Sequence, residues 1–280
     1  MGSSDNGGYE MMINQKRLKK WCVIWGILLG MVLTSLSASA AIKPATFIFH
    51  DRTGSLQAEM PLITAAQKSN VKVSVLHARV NKQGKVKLSG QLKQGTVPIV
   101  AVEFAKQEGN YQKTATWSYQ VIKKSQAKWH FKAMNLVGVG TGNMGIMNCL
   151  VKYGGSNQMP TLVKQVAIAG PFNGTHIQPN AGSKLAKNGR PYHMNMLYHE
   201  LLSLKKAYPQ TSRVLNIYGN QGHYSDGMVT NNSSRALRYL VTPRAKSYQE
   251  QVVNGQTASH KQLTRNPQVQ KAVVKFLWHK

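Results

Sequence analysis

Short apolar runs alternate with amphipathic stretches along most of this chain. Residues 45–50 (ATFIFH) are almost wholly apolar, as in a strand buried on both faces. Residues 71–80 alternate Val with polar positions, which is strand periodicity. Residues 81–84 (NKQG) are a turn signal, and 85–92 return as a hairpin partner. Residues 98–105 (PIVAVEFA) predict another strand, and 111–130 a helix with apolar positions near Trp117, Val121 and Ile122. A central strand over 132–139 (KAMNLVGV) leads into a helix over 143–153. Strands follow at 164–170, 212–219 and 245–253, with helices at 195–207, 232–240 and 266–280. Between residues 50 and 71 the pattern predicts no element. Residues 171–194 are polar and rich in Gly, Pro and Asn, which predicts a loop or lid. Alternating strands and helices imply an α/β domain over 41–280, with a predominantly parallel sheet and helices on both faces.

Charge changes this picture. The 280 residues hold 36 Lys+Arg against 9 Asp+Glu, a net charge of +27. The basic residues are spread along the chain, which points to a polyanionic partner rather than to a particular fold. The first 40 residues narrow the choice. Lys16-Arg-Leu-Lys-Lys20 is a basic region, residues 21–36 are apolar, and Ala38-Ser39-Ala40 supplies a cleavage pattern. This is the layout of a secretory signal peptide, or of an N-terminal membrane anchor if residues 21–36 are retained. Residues 1–40 contain four of the basic and two of the acidic residues, so the remainder carries about +25. Export makes an anionic cell wall or membrane surface the expected partner. No nucleic-acid-binding motif is present, and we expect no nucleic-acid partner. Of the two cysteines, Cys22 lies in the signal segment behind Lys19-Lys20-Trp21, which is not a lipidation signal, and Cys149 reads as a core residue.

The candidate chemistry centres on Gly138-Val139-Gly140-Thr141-Gly142, between the central strand and its helix. This is the frame of a nucleophile elbow, G-x-S-x-G, with glycine where the serine belongs. Glycine offers no atom to attack a carbonyl. Thr141 is adjacent, but a one-residue shift on so tight a turn redirects the side chain. The role that fits it is a backbone N–H of the oxyanion hole. In this architecture an acid and then a histidine follow the nucleophile in chain order. Asp226 lies in a Ser-Asp-Gly turn beyond the strand at 212–219, and His260 lies beyond the final strand. Asp226 and Asp51 are the two aspartates that follow the signal segment. We therefore expect Asp226 and His260 within hydrogen-bonding reach.

These features, spread over roughly residues 45–280, resemble the DUF915 family of cell-surface α/β-hydrolases from Gram-positive bacteria. The resemblance rests on MNLVG-x-x-x-GN (134–143), LVKYG (150–154), KQVAIAG-x-FNG (164–174) and LNIYG (215–219). It continues through SDG-x-V-x-N-x-SS (225–234), YLV-x-x-RAKSYQE (239–250) and H-x-QL-x-x-NP-x-V-x-K-x-V-x-x-FLW (260–278). It implies an α/β-hydrolase fold with Asp226 and His260 as acid and base, Gly140 at the nucleophile position and Thr141 N–H in the oxyanion hole. The family's elbow resembles G-H-S-M-G, so both the serine and the preceding histidine are replaced here. After the first strand the family carries a His-Gly loop that contributes the second N–H, a role that falls to Arg52. Asp51 stands in place of that glycine, with Arg52 as a neighbouring cation. A carboxylate there opposes a developing oxyanion.

The expected function is thus an exported protein on an ester- or lipid-ester-hydrolase scaffold, impaired by Gly140. The alternative is a non-catalytic wall- or ligand-binding protein. No cofactor is expected. Gly140-Thr-Gly-Asn-Met-Gly145 matches a dinucleotide fingerprint, but Asp and Glu are absent between Glu108 and Glu200, where the ribose-binding acid belongs. No metal is expected either, because His50-Asp51 and His193/His199 lack a third ligand at diagnostic spacing.

Overall fold

The computed structural model describes residues 42–51, 56–105, 110–155 and 159–279. The leader and the apolar segment 21–36 lie outside the described residues, as does Arg52. The described strands are β1 (Ala45–Phe49), β2 (Val73–Val80), β3 (Val86–Ser89), β4 (Val97–Phe104), β5 (Ala133–Val139), β6 (Thr161–Ile168), β7 (Arg213–Asn220) and β8 (Ser247–Asn254). They form one eight-stranded sheet in the order β3-β2-β4-β1-β5-β6-β7-β8. Only the β2–β3 hairpin is antiparallel.

The helices cover both faces. α1 (Leu56–Lys68) and α8 (Pro267–Trp278) pack together on one side. α2 (Tyr111–Trp129) and α3 (Gly142–Tyr153) pack together on the other. Strand alternation divides the core between them. Phe47, Phe49, Met134 and Leu136 face the α2/α3 core, while Ile48, Val137 and Val139 face the α1/α8 core. This two-sided burial is why β1 and β5 read as continuous apolar runs. α2 starts where Asn110 Oδ1 accepts the Lys113 N–H at 2.9 Å, and it ends at His130, which adopts a left-handed conformation.

Three features differ from the pattern-based expectation. α1 occupies the interval where none was predicted. Its Pro61 removes a backbone donor inside the helix and reads as a breaker, yet Leu62, Ile63 and Ala66 are buried. The helix predicted over 195–207 is two short ones, α4 (Met196–Leu201) and α5 (Leu204–Ala207). Across the junction Leu202 N, Lys205 N and Lys206 N bond three residues back, to His199 O, Leu202 O and Ser203 O, which tightens the turn. The helix predicted over 232–240 is likewise α6 (Asn231–Arg235) and α7 (Leu237–Val241). There the Ser234 carbonyl accepts Asn216 Nδ2 at 2.9 Å. Residues 171–194 form turns and bends, with an isolated bridge between Leu185 and Pro191.

Candidate active site

The sheet register assembles the site. Phe49 pairs with Gly138, so the chain leaving β1 runs level with the turn leaving β5. Asp51 and Gly140 are thereby brought together. Gly140 has φ +51°, a left-handed conformation natural to glycine. A Cβ at Gly142 would strike the Phe49 carbonyl oxygen, so the start of α3 can approach the end of β1 only without a side chain there. Buried Asn143 pins the turn. Its Nδ2 donates to Gly138 O at 3.0 Å, Gly140 O at 3.1 Å and Ile168 O at 3.0 Å. The sequence pattern marks Asn143 only as part of the motif, because the three carbonyls that it holds converge only in the fold.

The structure brings Asp226 and His260 together. Beyond β7 the chain passes through left-handed His223 and Tyr224 to Asp226. Asp226 Oδ1 accepts the N–H groups of Met228 at 2.9 Å and Val229 at 2.7 Å. Oδ2 accepts His260 Nδ1–H at 2.8 Å, and His260 N–H donates to Asp226 O at 2.9 Å. Carboxylate and imidazole are thus tied through both side chain and backbone, and both are buried.

Asp51 supplies a contact that the sequence did not foretell. Its Oδ1 accepts Thr141 N–H at 2.8 Å and Thr141 Oγ–H at 2.7 Å. Its Oδ2 lies 3.8 Å from His260 Nε2. A Cβ built on Gly140 would sit 2.5 Å from Asp51 Oδ1. The carboxylate therefore fills the space where an elbow serine would project, and it takes the N–H expected to serve an oxyanion. The start of α3 suits it, since exposed N–H groups and the helix dipole favour an anion there. His50 fixes the approach: its Nδ1–H donates to Asp51 O at 2.6 Å, and its Nε2 accepts Phe104 N–H at 3.3 Å.

His260 stands between two carboxylates. Burial disfavours its cation, but the Asp226 hydrogen bond, the neighbouring Asp51 carboxylate and the charges of both outweigh burial and hold its pKa up at about 9. At neutral pH it is the imidazolium. Glu59 of α1 lies close enough to feel Asp51. Burial first, and then the Asp51 charge, push its pKa up to about 8, against the effect of the Asp51 N–H bond. One of its oxygens, Oε2, has no hydrogen-bond partner, which fits a protonated carboxyl. Sequence reasoning missed Glu59 because it lies on the unpredicted helix. Among the described residues, no three His, Cys, Asp or Glu side chains are arranged to hold a metal ion.

Large apolar side chains are exposed on the segment 171–196 and on the loop that leads to Asp226: Ile177, Tyr192, Met196 and Tyr224. His176 N–H donates to Met228 O at 2.9 Å, joining the segment 171–194 to the Asp226 loop. Among the described residues, no helix is long and apolar enough to cross a membrane.

Comparison with known proteins gives a consistent result. Residues 34–280 match the family described as alpha/beta hydrolase of unknown function, DUF915. A solved gene product of Listeria innocua superposes with a TM-score of 0.77 at 22% identity, covering 85% of this chain and 95% of that one. A proposed cell surface hydrolase from Lactobacillus plantarum superposes with a TM-score of 0.69, also at 22% identity, covering 85% and 90%. No curated protein matches the chain.

Proposed function

The chain belongs to the DUF915 family of α/β-hydrolases, and from that premise we propose an exported, surface-associated protein that no longer performs serine-type ester hydrolysis. One observation carries this reading. The Asp51 carboxylate occupies the place of the elbow side chain and holds the Thr141 N–H that an acyl oxyanion would need. A negative charge in that position repels the oxyanion that the hole would otherwise stabilise. Asp226 and His260 retain the geometry of an acid–base pair, but glycine gives them no hydroxyl to activate.

Fluorophosphonate labelling and short-chain ester turnover test this. The wild type should neither label nor turn over. Gly140→Ser alone should also fail, because its new side chain meets Asp51. Gly140→Ser combined with Asp51→Gly clears that space, and this double variant should label. Strong labelling of the wild type, lost in Thr141→Ala, would make Thr141 the nucleophile and sink the proposal.

The surface assignment rests on the signal layout and on about +25 of charge beyond it. Attraction to an anionic wall or membrane weakens as the Debye length falls to about 3 Å at 1 M salt. A wash at that salt should release the mature protein from cells. Retention with an intact N-terminus would point to an anchor at residues 21–36. The exposed apolar side chains Ile177, Tyr192, Met196 and Tyr224 favour a ligand-binding role as the second reading.

A further inference from the structure

We propose that a cavity between β8 and the end of α8 binds a polyol phosphodiester chain, of the kind of poly(glycerol phosphate). This deepens the surface assignment above and rests on it for the source of the chain. The cavity has a volume of about 650 Å³ and opens to solvent. Lys164, Arg213, Lys246, Lys275 and His279 line it, and no Asp or Glu does among the described residues. Arg213 and Ser247 are the first residues of β7 and β8, so the cavity lies at the strand ends opposite to those that lead to Asp226 and His260.

The residue pattern departs from that of a core face. Residues paired in register share a face of the sheet, and Ser247, Gln249 and Gln251 pair with Arg213, Leu215 and Ile217. Leu215 and Ile217 are buried in the α1/α8 core, yet the three β8 positions beside them are polar. A strand covered by a helix carries apolar side chains on that face. Polar and charged side chains also protect an edge strand from pairing, and β8 ends the sheet. That accounts for β8 alone. Lys164 lies on β6, two strands in from this edge, and Lys275 and His279 come from α8 and the residue after it. Separate elements thus bring cations to one cavity.

No carboxylate answers these charges. Among the described residues, Lys164, Arg213, Lys246 and Lys275 form no salt bridge. Glu250 of β8 pairs with Arg235 instead. Half-buried Lys164 donates from Nζ to Leu277 O at 2.9 Å, and an ammonium has two further donors. Burial, and then the Arg213 charge, hold the Lys164 ammonium below the usual lysine range. An anion beside Lys164 and Arg213 would offset that repulsion. A phosphodiester suits the set, because a guanidinium forks two phosphate oxygens and an ammonium meets phosphate as a point charge. Ser247, Gln249 and Gln251 offer hydroxyl and amide partners to the polyol between the phosphates. A flat bilayer does not enter a concave cavity, and none of the large exposed apolar side chains lines this one. Nucleic-acid bases would need stacking platforms, and Phe276, the aromatic residue of the lining, already has Lys164 Nζ over its ring at 5.8 Å.

The test is calorimetric titration of residues 41–280 with synthetic poly(glycerol phosphate) at about 0.15 M salt. The wild type should bind. Arg213→Gln with Lys275→Gln removes two exposed cations from the cavity and should weaken binding about tenfold or more. Lys82→Gln with Lys87→Gln removes the same charge from the β2–β3 hairpin at the other edge of the sheet, and should weaken binding less than about twofold. All four side chains are exposed, so both variants should fold, which circular dichroism checks. A wild type that does not bind would overturn the inference. Equal losses in the two double variants would also overturn it, because net charge alone would then attract the chain. Poly-glutamate or a single-stranded oligonucleotide of matched charge, bound as tightly as the polyol phosphate, would defeat the ligand class. Phosphatidylglycerol vesicles that bind the wild type and lose the cavity variant to the same degree would make a lipid headgroup the occupant, and would defeat the chain. If the polymer is not bound while a wash at about 1 M salt still releases the protein from cells, the surface assignment stands and only the role of the cavity falls.

Discussion

At the scale of single residues, two positions shape the site. Glycine stands at 140, and the Asp51 carboxylate lies where a side chain at 140 would project. Each is costly without the other. A side chain at position 140 would meet the Asp51 carboxylate, and an unpaired carboxylate beside the elbow would be a buried charge without compensation. Thr141 and His260 provide that compensation. Asp51 and Asp226 therefore act on one imidazole from opposite sides. Asp51→Asn keeps an acceptor for the Thr141 N–H while removing one of the two charges, so His260 should titrate lower, by about one pH unit or more. The His260 ring resonances followed by NMR across pH 5 to 10 measure this. An unchanged titration would mean that Asp226 alone sets the protonation of His260, and that Asp51 is not electrostatically coupled to it.

Among the elements, those whose burial is written locally were legible in the sequence. β1, β4 and β5 are buried on both faces, and their apolar runs say so without tertiary information. The tight turn from β5 into α3 was legible because Gly138, Gly140 and Gly142 punctuate the passage from a buried strand to a buried helix. The loops bearing Asp226 and His260 were legible from chain order, and the structure brings those two side chains together. Asp51 was visible as an unusual acidic residue just after β1. That its carboxylate reaches the Thr141 N–H was not visible, because the Phe49–Gly138 register and the His50 contacts that aim it are long-range. α1 was hidden by Pro61, and with it Glu59. The break between α6 and α7 goes with a bond made elsewhere, the Asn216 amide on the Ser234 carbonyl, which no local pattern encodes.

Taken whole, the molecule combines a large positive charge with buried groups that hold protons, and the two respond to pH in opposite senses. Glu59 has a folded pKa of about 8 against a usual 4.5, and His260 about 9 against 6.5. Both are raised, so the folded state binds more protons than the unfolded chain between these values. Stability from Glu59 is full below about 4.5 and is lost as pH rises through 8. Stability from His260 is full below about 6.5 and is lost as pH rises through 9. Each group contributes a slope of order 1 kcal/mol per pH unit within its window, and the windows overlap between about 6.5 and 8. Raising pH also discharges exposed histidines and relieves some repulsion within a chain of net charge +27, which favours folding. That opposing effect is diffuse and is screened beyond about 8 Å at 0.15 M salt, whereas the buried groups are shielded from salt. The buried groups should therefore win. In moderate salt, urea-unfolding free energies of residues 41–280 should fall from pH 5.5 to pH 9. Glu59→Gln, which remains neutral throughout, should flatten the lower part of that fall. A stability that rises steadily over this range would show that charge repulsion governs, and that Glu59 and His260 do not hold their protons in the folded protein.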